Sequence, residues 1–310
     1  MCQHTSKQLL ESLLEHIHGA YASNTLRAYR ADMLEFIEYC GQVMANALPA
    51  DSLTISSFLM STVTQGIKNS TVRRKAASIS AVHRLMNYTD PTKHPEVKIT
   101  LRKISRQLGN RLDQAYPLTR ELLEKLLDVC KDDMRAIRNR VLLLLAYDSM
   151  RRRSELISLR IEDINWLPKE TCCILMRRSK TDQQATGKWI HLTSETTIAL
   201  KHWLEKSQLS EGFILRGVTP AGNITTSLCE SRIPRIYKSL AKRAGLSEDV
   251  ISGISGHSMR VGGAQDLLSL GASLPQIMAK GGWSKTDTVM RYVERSSSNH
   301  WRIGMPTARL

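Results

Sequence analysis

The 310-residue chain lacks any long hydrophobic run. Its longest, residues 141–147, spans seven residues, well short of the roughly 18 that a membrane-crossing helix needs. The opening MCQHTSK has no apolar stretch of secretory type. Cysteine is scarce, six in all (2, 40, 130, 172, 173 and 229), with no C-x-x-C, and the adjacent Cys172 and Cys173 cannot easily close on each other. Four of the six sit among apolar neighbours, as core thiols do. A reducing, cytoplasmic setting without structural zinc is expected, and membrane and secreted readings are disfavoured.

Nucleotide and metal signatures are missing too. There is no G-x-x-x-x-G-K-[ST], and no G-x-G-x-x-G behind a strand, which removes the phosphate-cradling loops of ATPases and dinucleotide enzymes. Nine histidines include no H-E-x-x-H, and no tight carboxylate cluster occurs, so two-metal nuclease chemistry is disfavoured. Internal repeats and low-complexity tracts are absent.

Positive charge is what the chain has in excess. It carries 44 Lys and Arg against 29 Asp and Glu, a net +15 that asks for an anionic partner, either nucleic acid or a membrane surface. Residues 1–67 hold 3 basic and 6 acidic side chains, residues 68–111 hold 11 and 2, and residues 112–310 hold 30 and 21. The middle block ends in Arg102, Lys103, Arg106 and Arg111 ahead of Tyr116-Pro117, with few large apolar residues. Residues 103–117 therefore read as a linker between a first domain, 1–102, and a second, 118–310.

The first domain reads as all-helical. Ser23-Asn24 can cap a helix whose Leu26, Tyr29, Met33, Phe36, Ile37 and Cys40 recur near a 3.6-residue period. A second helix from Ser70 sets Val72, Ala76, Ile79, Val82 and Met86 on one face; Arg73, Arg74 and Arg84 lie opposite, among Ser70, Ala77 and Ala81. A solvated face is the plain explanation of such arginines. Among small residues in the most basic block they also suit close approach to DNA. The candidate DNA contacts are Ser70, Arg73, Arg74, Lys75, Arg84, Arg102, Lys103 and Arg106.

In the second domain Thr119 can cap a helix bearing leucines 122, 123, 126 and 127, and another helix contains residues 141–147. The β-prone segments 171–176 and 189–193 flank a polar stretch and predict an antiparallel hairpin. Helical patterns return at 196–206, 233–244, 260–270, 274–280 and 284–294, the last with Ser284-x-x-Asp287 as a capping-box variant. The fold expected is mainly α, with a small antiparallel β-sheet in the second domain.

Cationic and phenolic groups gather in that domain. Arg151-Arg152-Arg153-Ser154-Glu155 follows the apolar helix, and Lys180 sits at the hairpin turn. His257-Ser258-Met259-Arg260 opens a helix behind a Gly/Ser-rich loop; Gly281-Gly282-Trp283 precedes the last helix, and Tyr292 lies near its end. Singly, each has a bland explanation: a surface ion pair, a solvated turn lysine, a packed tryptophan. The order and spacing change this. Arg with Glu three residues on, a β-turn Lys, H-x-x-R, G-x-W and a Tyr 32 residues after the second Arg resemble the tyrosine recombinase (phage integrase) family. Residues 137–164 are similar to the family's first box and residues 256–283 to the second box of its Cre-like subgroup. Ser23-Asn24-Thr25 and Tyr29 fit its helical core-binding domain.

The resemblance implies a two-domain clamp on double-stranded DNA and a site-specific recombinase. It makes Arg152 and Arg260 the catalytic arginines, Lys180 the β-turn lysine and His257 the histidine of H-x-x-R. Trp283 stands where many relatives have a second histidine, Tyr292 is the nucleophile, and Glu155 braces the cluster. Arg151 and Arg153, beside Arg152, depart from the family pattern. The resemblance also implies a tetramer on two recombination sites and no membrane partner; it is silent on accessory proteins. A C-terminal tail, residues 295–310, would be anchored by Trp301 and Ile303.

Elementary chemistry fits these roles. A phenol, with pKa about 10, is a weak nucleophile at neutral pH, so its site must stabilise developing negative charge. Two guanidiniums can grip the non-bridging oxygens of a phosphodiester. An indole offers only an N–H donor. Lys180 can protonate the 5′-oxygen that leaves, and His257 can help Tyr292 lose its proton. The resulting 3′-phosphotyrosyl ester keeps the bond energy, so neither ATP nor a metal cofactor is expected. A type IB topoisomerase uses a similar set, and a non-catalytic helical DNA-binding protein would carry similar charge. The core-binding pattern weighs against the first, the ordered set against the second.

Overall fold

The computed structural model describes residues 3–109, 114–177 and 187–294, divided into two compact units with the boundary at residue 113. The first unit is helical: α1 (Gln3–His16), α2 (Ser23–Gln42), α3 (Ser52–Thr64), α4 (Asn69–Leu85) and α5 (Pro95–Leu108). Its core follows the apolar periodicity. Met33, Phe36 and Ile37 of α2 meet Phe58 and Leu59 of α3, Val72, Ile79 and Val82 of α4, and Val97 and Ile104 of α5. The Phe36 and Phe58 rings lie 5.1 Å apart, and Tyr39 sits 5.3 Å from Phe58. Each such buried side chain is worth about 1.5–3 kcal/mol.

Local expectations need correction in this unit. Ser23 lies inside the first turn of α2, whose N-cap is Ala22 without a side-chain cap bond. Ala81 is buried, not on the outer face of α4. Helix α5 runs to Leu108, so residues 103–108 of the expected linker are helical. Val97, Thr100 and Ile104 are buried at helical spacing in a stretch whose charges hide the pattern.

The second unit holds α6 (Arg120–Asp128), α7 (Met134–Ser149) and α8 (Arg153–Ile157), then a sheet of β1 (Ile164–Leu167), β2 (Thr171–Met176) and β3 (Lys188–Leu192). Six helices follow: α9 (Ser194–Ser207), α10 (Arg232–Arg243), α11 (Glu248–Gly253), α12 (Ser258–Ser269), α13 (Leu274–Gly281) and α14 (Thr286–Val293). The sheet is antiparallel in the order β1-β2-β3, with Ile164 opposite Ile174 and Cys173 opposite His191. The β2–β3 hairpin is the one expected; β1, only four residues long, carries no readable alternation. The hairpin residues 178–186, with Lys180, and the tail 295–310 lie outside the described residues.

Helix α7 is the buried centre of this unit and packs on α9 and α12. Leu142, Leu143, Leu144 and Leu145 are all buried, and Trp203 of α9 donates its indole N–H to Ile214 O at 2.8 Å. Gly262 lets α12 lie against the Leu118 backbone, where any Cβ would collide with the Leu118 carbonyl. A second small core of Met150, Ala264, Ile277, Trp283 and Val289 joins α12, α13 and α14. Helix α14 starts at Thr286 with Lys285 as its N-cap, so the Ser284–Asp287 capping box does not form. Among the described residues no helix is long and apolar enough to cross a membrane.

Candidate active site

Asp133 caps α7, its carboxylate accepting the N–H groups of Arg135 and Ala136 at 2.8 and 3.0 Å. At the far end Met150 adopts a left-handed conformation (φ 50°), and the chain then sends three arginines in three directions. Arg151 is buried and donates from Nη2 to Lys280 O at 2.9 Å. Arg152, half-buried, stands at the N-cap position of α8; its Nη1 donates to Glu155 Oε1 at 2.8 Å and its backbone N–H to Glu155 Oε2 at 3.0 Å. Arg153 turns towards Glu230, 3.4 Å away. Burial opposes ionisation of Glu155, yet the two Arg152 hydrogen bonds hold its pKa below the ordinary carboxylate value.

Arg260, on the first turn of α12, is almost wholly buried. Its Nη1 donates to Met150 O, and its Cζ stacks 4.0 Å from the centroid of the Trp283 ring. Trp283 meets the ring of Tyr292 edge-on, centroids 5.8 Å apart at 65°. Tyr292, half-buried on α14, is held through its carbonyl, which accepts from Gln265 Nε2 at 2.8 Å and Gln114 Nε2 at 3.2 Å. Helix α12 thus carries Arg260 and, through Gln265, steadies the tyrosine. Arg260 Nη2, Trp283 Nε1 and Arg151 Nε are buried with no hydrogen-bond partner among the described residues. Such groups are rare in folded proteins and mark places where a ligand would complete the bonding.

His257, still reached by solvent, stands at the N-cap position of α12 three residues before Arg260 and makes no side-chain cap bond. Burial by its surroundings, then the charges of Arg153, Arg260 and Arg152, push its pKa below the usual imidazole value. Arg260 is likewise lowered by burial first and then by Arg152, while the Tyr292 and Glu155 positions oppose the shift. Six of the seven expected site residues fall within the described residues. Arg260, Trp283 and Tyr292 touch; Arg152, Glu155 and His257 share their electrostatic environment. Among the described residues no group of three His, Cys, Asp or Glu is placed to hold a metal ion.

The first unit sorts the expected DNA contacts. Ser70, Arg73, Arg74 and Arg84 on α4 and Arg102, Lys103 and Arg106 on α5 are exposed. Arg73 Nη1 reaches Ser105 Oγ at 3.4 Å, and Arg102 lies one turn before Ser105, so a basic strip runs from α4 onto α5. Arg74 is half-committed to the buried Asp32 at 3.0 Å. Lys75 is a correction: it is buried, paired with Glu35, and its ammonium lies 5.6 Å from the Phe58 ring. On the helical wheel it sits at the border of the apolar face, where a long stem is drawn inwards.

The sequence reading missed a second basic surface. A concavity of about 800 Å³ in the second unit is lined by Arg135, Arg138, Arg232, Arg235 and Arg243 with no carboxylate among its lining residues. Burial, then the charges of Arg135 and Arg232, push the Arg138 pKa down to about 10. The arginines at 232, 235 and 243 on α10 were legible as helical spacing, but Arg135 and Arg138 join them only through the tertiary fold.

The profile of the phage integrase family matches residues 117–299, and that of the phage integrase N-terminal SAM-like domain matches residues 8–88. An integrase/recombinase xerD homolog of Selenomonas ruminantium is 29% identical over 287 residues, covering 89% of this chain and 83% of the relative. Recombinase cre of Escherichia phage P1 is 24% identical over 319 residues, covering 95% and 91%. In fold, the chain is similar to the XerH site-specific recombinase bound to a palindromic difH substrate, with TM-score 0.69, 20% identity, and 96% and 84% of the two chains covered. The Tn1549 transposon integrase in complex with transposon right end DNA gives TM-score 0.65 at 15% identity, covering 96% and 97%.

Proposed function

The chain belongs to the phage integrase family of tyrosine recombinases, enzymes of site-specific recombination, and we propose that it cleaves and rejoins DNA strands through a 3′-phosphotyrosyl ester on Tyr292. The observation that carries this reading is the stack of Arg260 on Trp283 and of Trp283 against Tyr292, with Arg260 Nη2 and Trp283 Nε1 buried and without a partner among the described residues. An unpaired buried donor costs about 1–3 kcal/mol. A phosphate oxygen accepting from both would offset that cost at the place where charge develops.

In this reading Arg152, braced by Glu155, and Arg260 take the non-bridging oxygens of the scissile phosphate. His257 accepts the phenolic proton, and Trp283 adds a neutral hydrogen bond. The Tyr292 Oη–P bond forms as the bond to the 5′-oxygen breaks, and Lys180 protonates that oxygen. A 5′-hydroxyl from another strand reverses the step, so no energy source is consumed. The strip across α4 and α5 and the arginines of the concavity grip phosphates along the duplex. Assembly as a tetramer on two sites belongs to the same proposal.

The test uses supercoiled plasmid carrying two direct copies of the DNA that flanks the coding sequence, incubated with the protein in EDTA. Resolution into separate circles is expected. Relaxation without exchange would assign a topoisomerase-type reaction instead, and strict dependence on added Mg²⁺ would overturn the mechanism.

A further inference from the structure

Arg152 has a role in the proposed reaction; the arginine before it has none so far. Arg151 is buried, and burial lowers its pKa, so a cation is being held where solvation is poor. Its backbone N–H lies 3.4 Å from Ser149 Oγ at the end of α7. Its side chain crosses to α13, where Nη2 donates to Lys280 O at 2.9 Å. Nη1 packs so closely on Gly282 that a Cβ there would collide with it.

Lys280 O is one of the carbonyls that α13 leaves without a partner in its last turn. The carbonyl before it, Ala279 O, accepts from Lys188 Nζ of β3 at 2.8 Å. Two cations, one from the turn between α7 and α8 and one from β3, therefore hold the negative end of this helix. Asp148 completes the clamp, accepting from Lys280 Nζ at 2.9 Å and from the Thr193 N–H at 2.6 Å. Beyond the clamp, Gly282 takes a left-handed conformation (φ 67°) and the Trp283 N–H returns to Met278 O at 3.0 Å. The indole that stacks on Arg260 begins three residues after the carbonyl that Arg151 holds.

We propose that Arg151 is a positioning residue for strand cleavage. It caps α13 and fixes the Gly281-Gly282-Trp283 turn, so that the Trp283 N–H and the free edge of Arg260 address the same phosphate. The inference rests on the roles given to Trp283 and Tyr292 above. Met150 O binds Arg260, Arg151 binds the Trp283 turn, and Arg152 binds Glu155, so three consecutive residues align three parts of one site.

A double-mutant cycle separates positioning from general stability. Single-turnover formation of the covalent adduct on a nicked suicide substrate is measured at saturating DNA for wild type, Arg151→Met, Trp283→Phe and the double variant, with DNA affinity measured alongside. Arg151→Met should slow adduct formation about tenfold or more with affinity unchanged. In the Trp283→Phe background the same change should cost less than about threefold, because no indole N–H remains to be aligned. Arg151→Lys, which keeps one charged donor for Lys280 O, should recover part of the rate. A wild-type rate for Arg151→Met, or an equal fractional loss in both backgrounds, overturns the proposal. Should Arg151→Met fail to fold, the cycle is run with Arg151→Lys, and equal losses again overturn it. Failure of wild type to form an adduct, or an adduct surviving in Tyr292→Phe, would instead strike at the reading beneath it.

Discussion

The Arg260 guanidinium is fixed on two sides: its Cζ stacks 4.0 Å from the Trp283 ring centroid, and Nη1 donates to Met150 O, while Nη2 has no partner among the described residues. A desolvated stack of this kind is worth about 2 kcal/mol, and together with the carbonyl it aims the remaining edge of a planar fork. Little reorganisation is left for the moment of reaction.

Arg260→Lys keeps the charge and loses both the stack and the fork. Adduct formation at saturating DNA should fall about 10²–10³-fold, with DNA affinity nearly unchanged. Near-wild-type cleavage would mean that charge alone suffices at this position.

The lowered pKa of His257 has a definite sign for pH dependence. Burial and the neighbouring arginines disfavour the imidazolium, so the ring stays neutral and able to accept a proton further into acid than a free histidine. Protonation as pH falls through that lowered value removes the base. The cleavage rate should therefore hold down to about pH 6.5 and decline below it, and His257→Ala should abolish that acid limb. A midpoint at or above the ordinary imidazole value of about 6.5 would contradict the assignment.

The two kinds of cation on α4 should behave differently in DNA-binding titrations. Arg73→Ala should reduce the slope of log affinity against log salt by about 1, as loss of one phosphate contact does. Lys75→Ala should leave the slope unchanged. Its cost should appear as about 1–2 kcal/mol of stability, from lost packing of its stem and the loss of Glu35's partner. Denaturant unfolding and salt-dependent binding check the pair together.

Gly262 packs α12 on the Leu118 backbone, which cannot rotate away as a side chain can. Gly262→Ala should destabilise the second unit by about 1–3 kcal/mol or more and displace the start of α12, with loss of cleavage to match. Unchanged thermal unfolding would show that the two segments part easily.

Much of the site was legible because its residues sit at fixed spacings around element ends: Arg152 and Glu155 on α8, His257 and Arg260 on α12, Trp283 and Tyr292 about α14. Helix periods likewise revealed most of the core, since burial repeats along the chain. What stayed hidden depends on partners distant in sequence. The burial of Lys75 comes from Glu35 and Phe58, that of Arg151 from Lys280, and the concavity from Arg135 and Arg138 facing α10. The helical stretch 103–108 is hard to read because the three buried residues of α5, Val97, Thr100 and Ile104, are outnumbered along the helix by five charged ones, Glu96, Lys98, Arg102, Lys103 and Arg106.

Tyr292 is the residue on which strand cleavage turns. Wild-type protein trapped on a nicked suicide substrate and digested should yield a single tyrosyl peptide, containing Tyr292, esterified to the 3′-phosphate of the cleaved strand. Tyr292→Phe should bind the same DNA and yield none. A nucleotide on any other residue, or an adduct that persists in Tyr292→Phe, would contradict it.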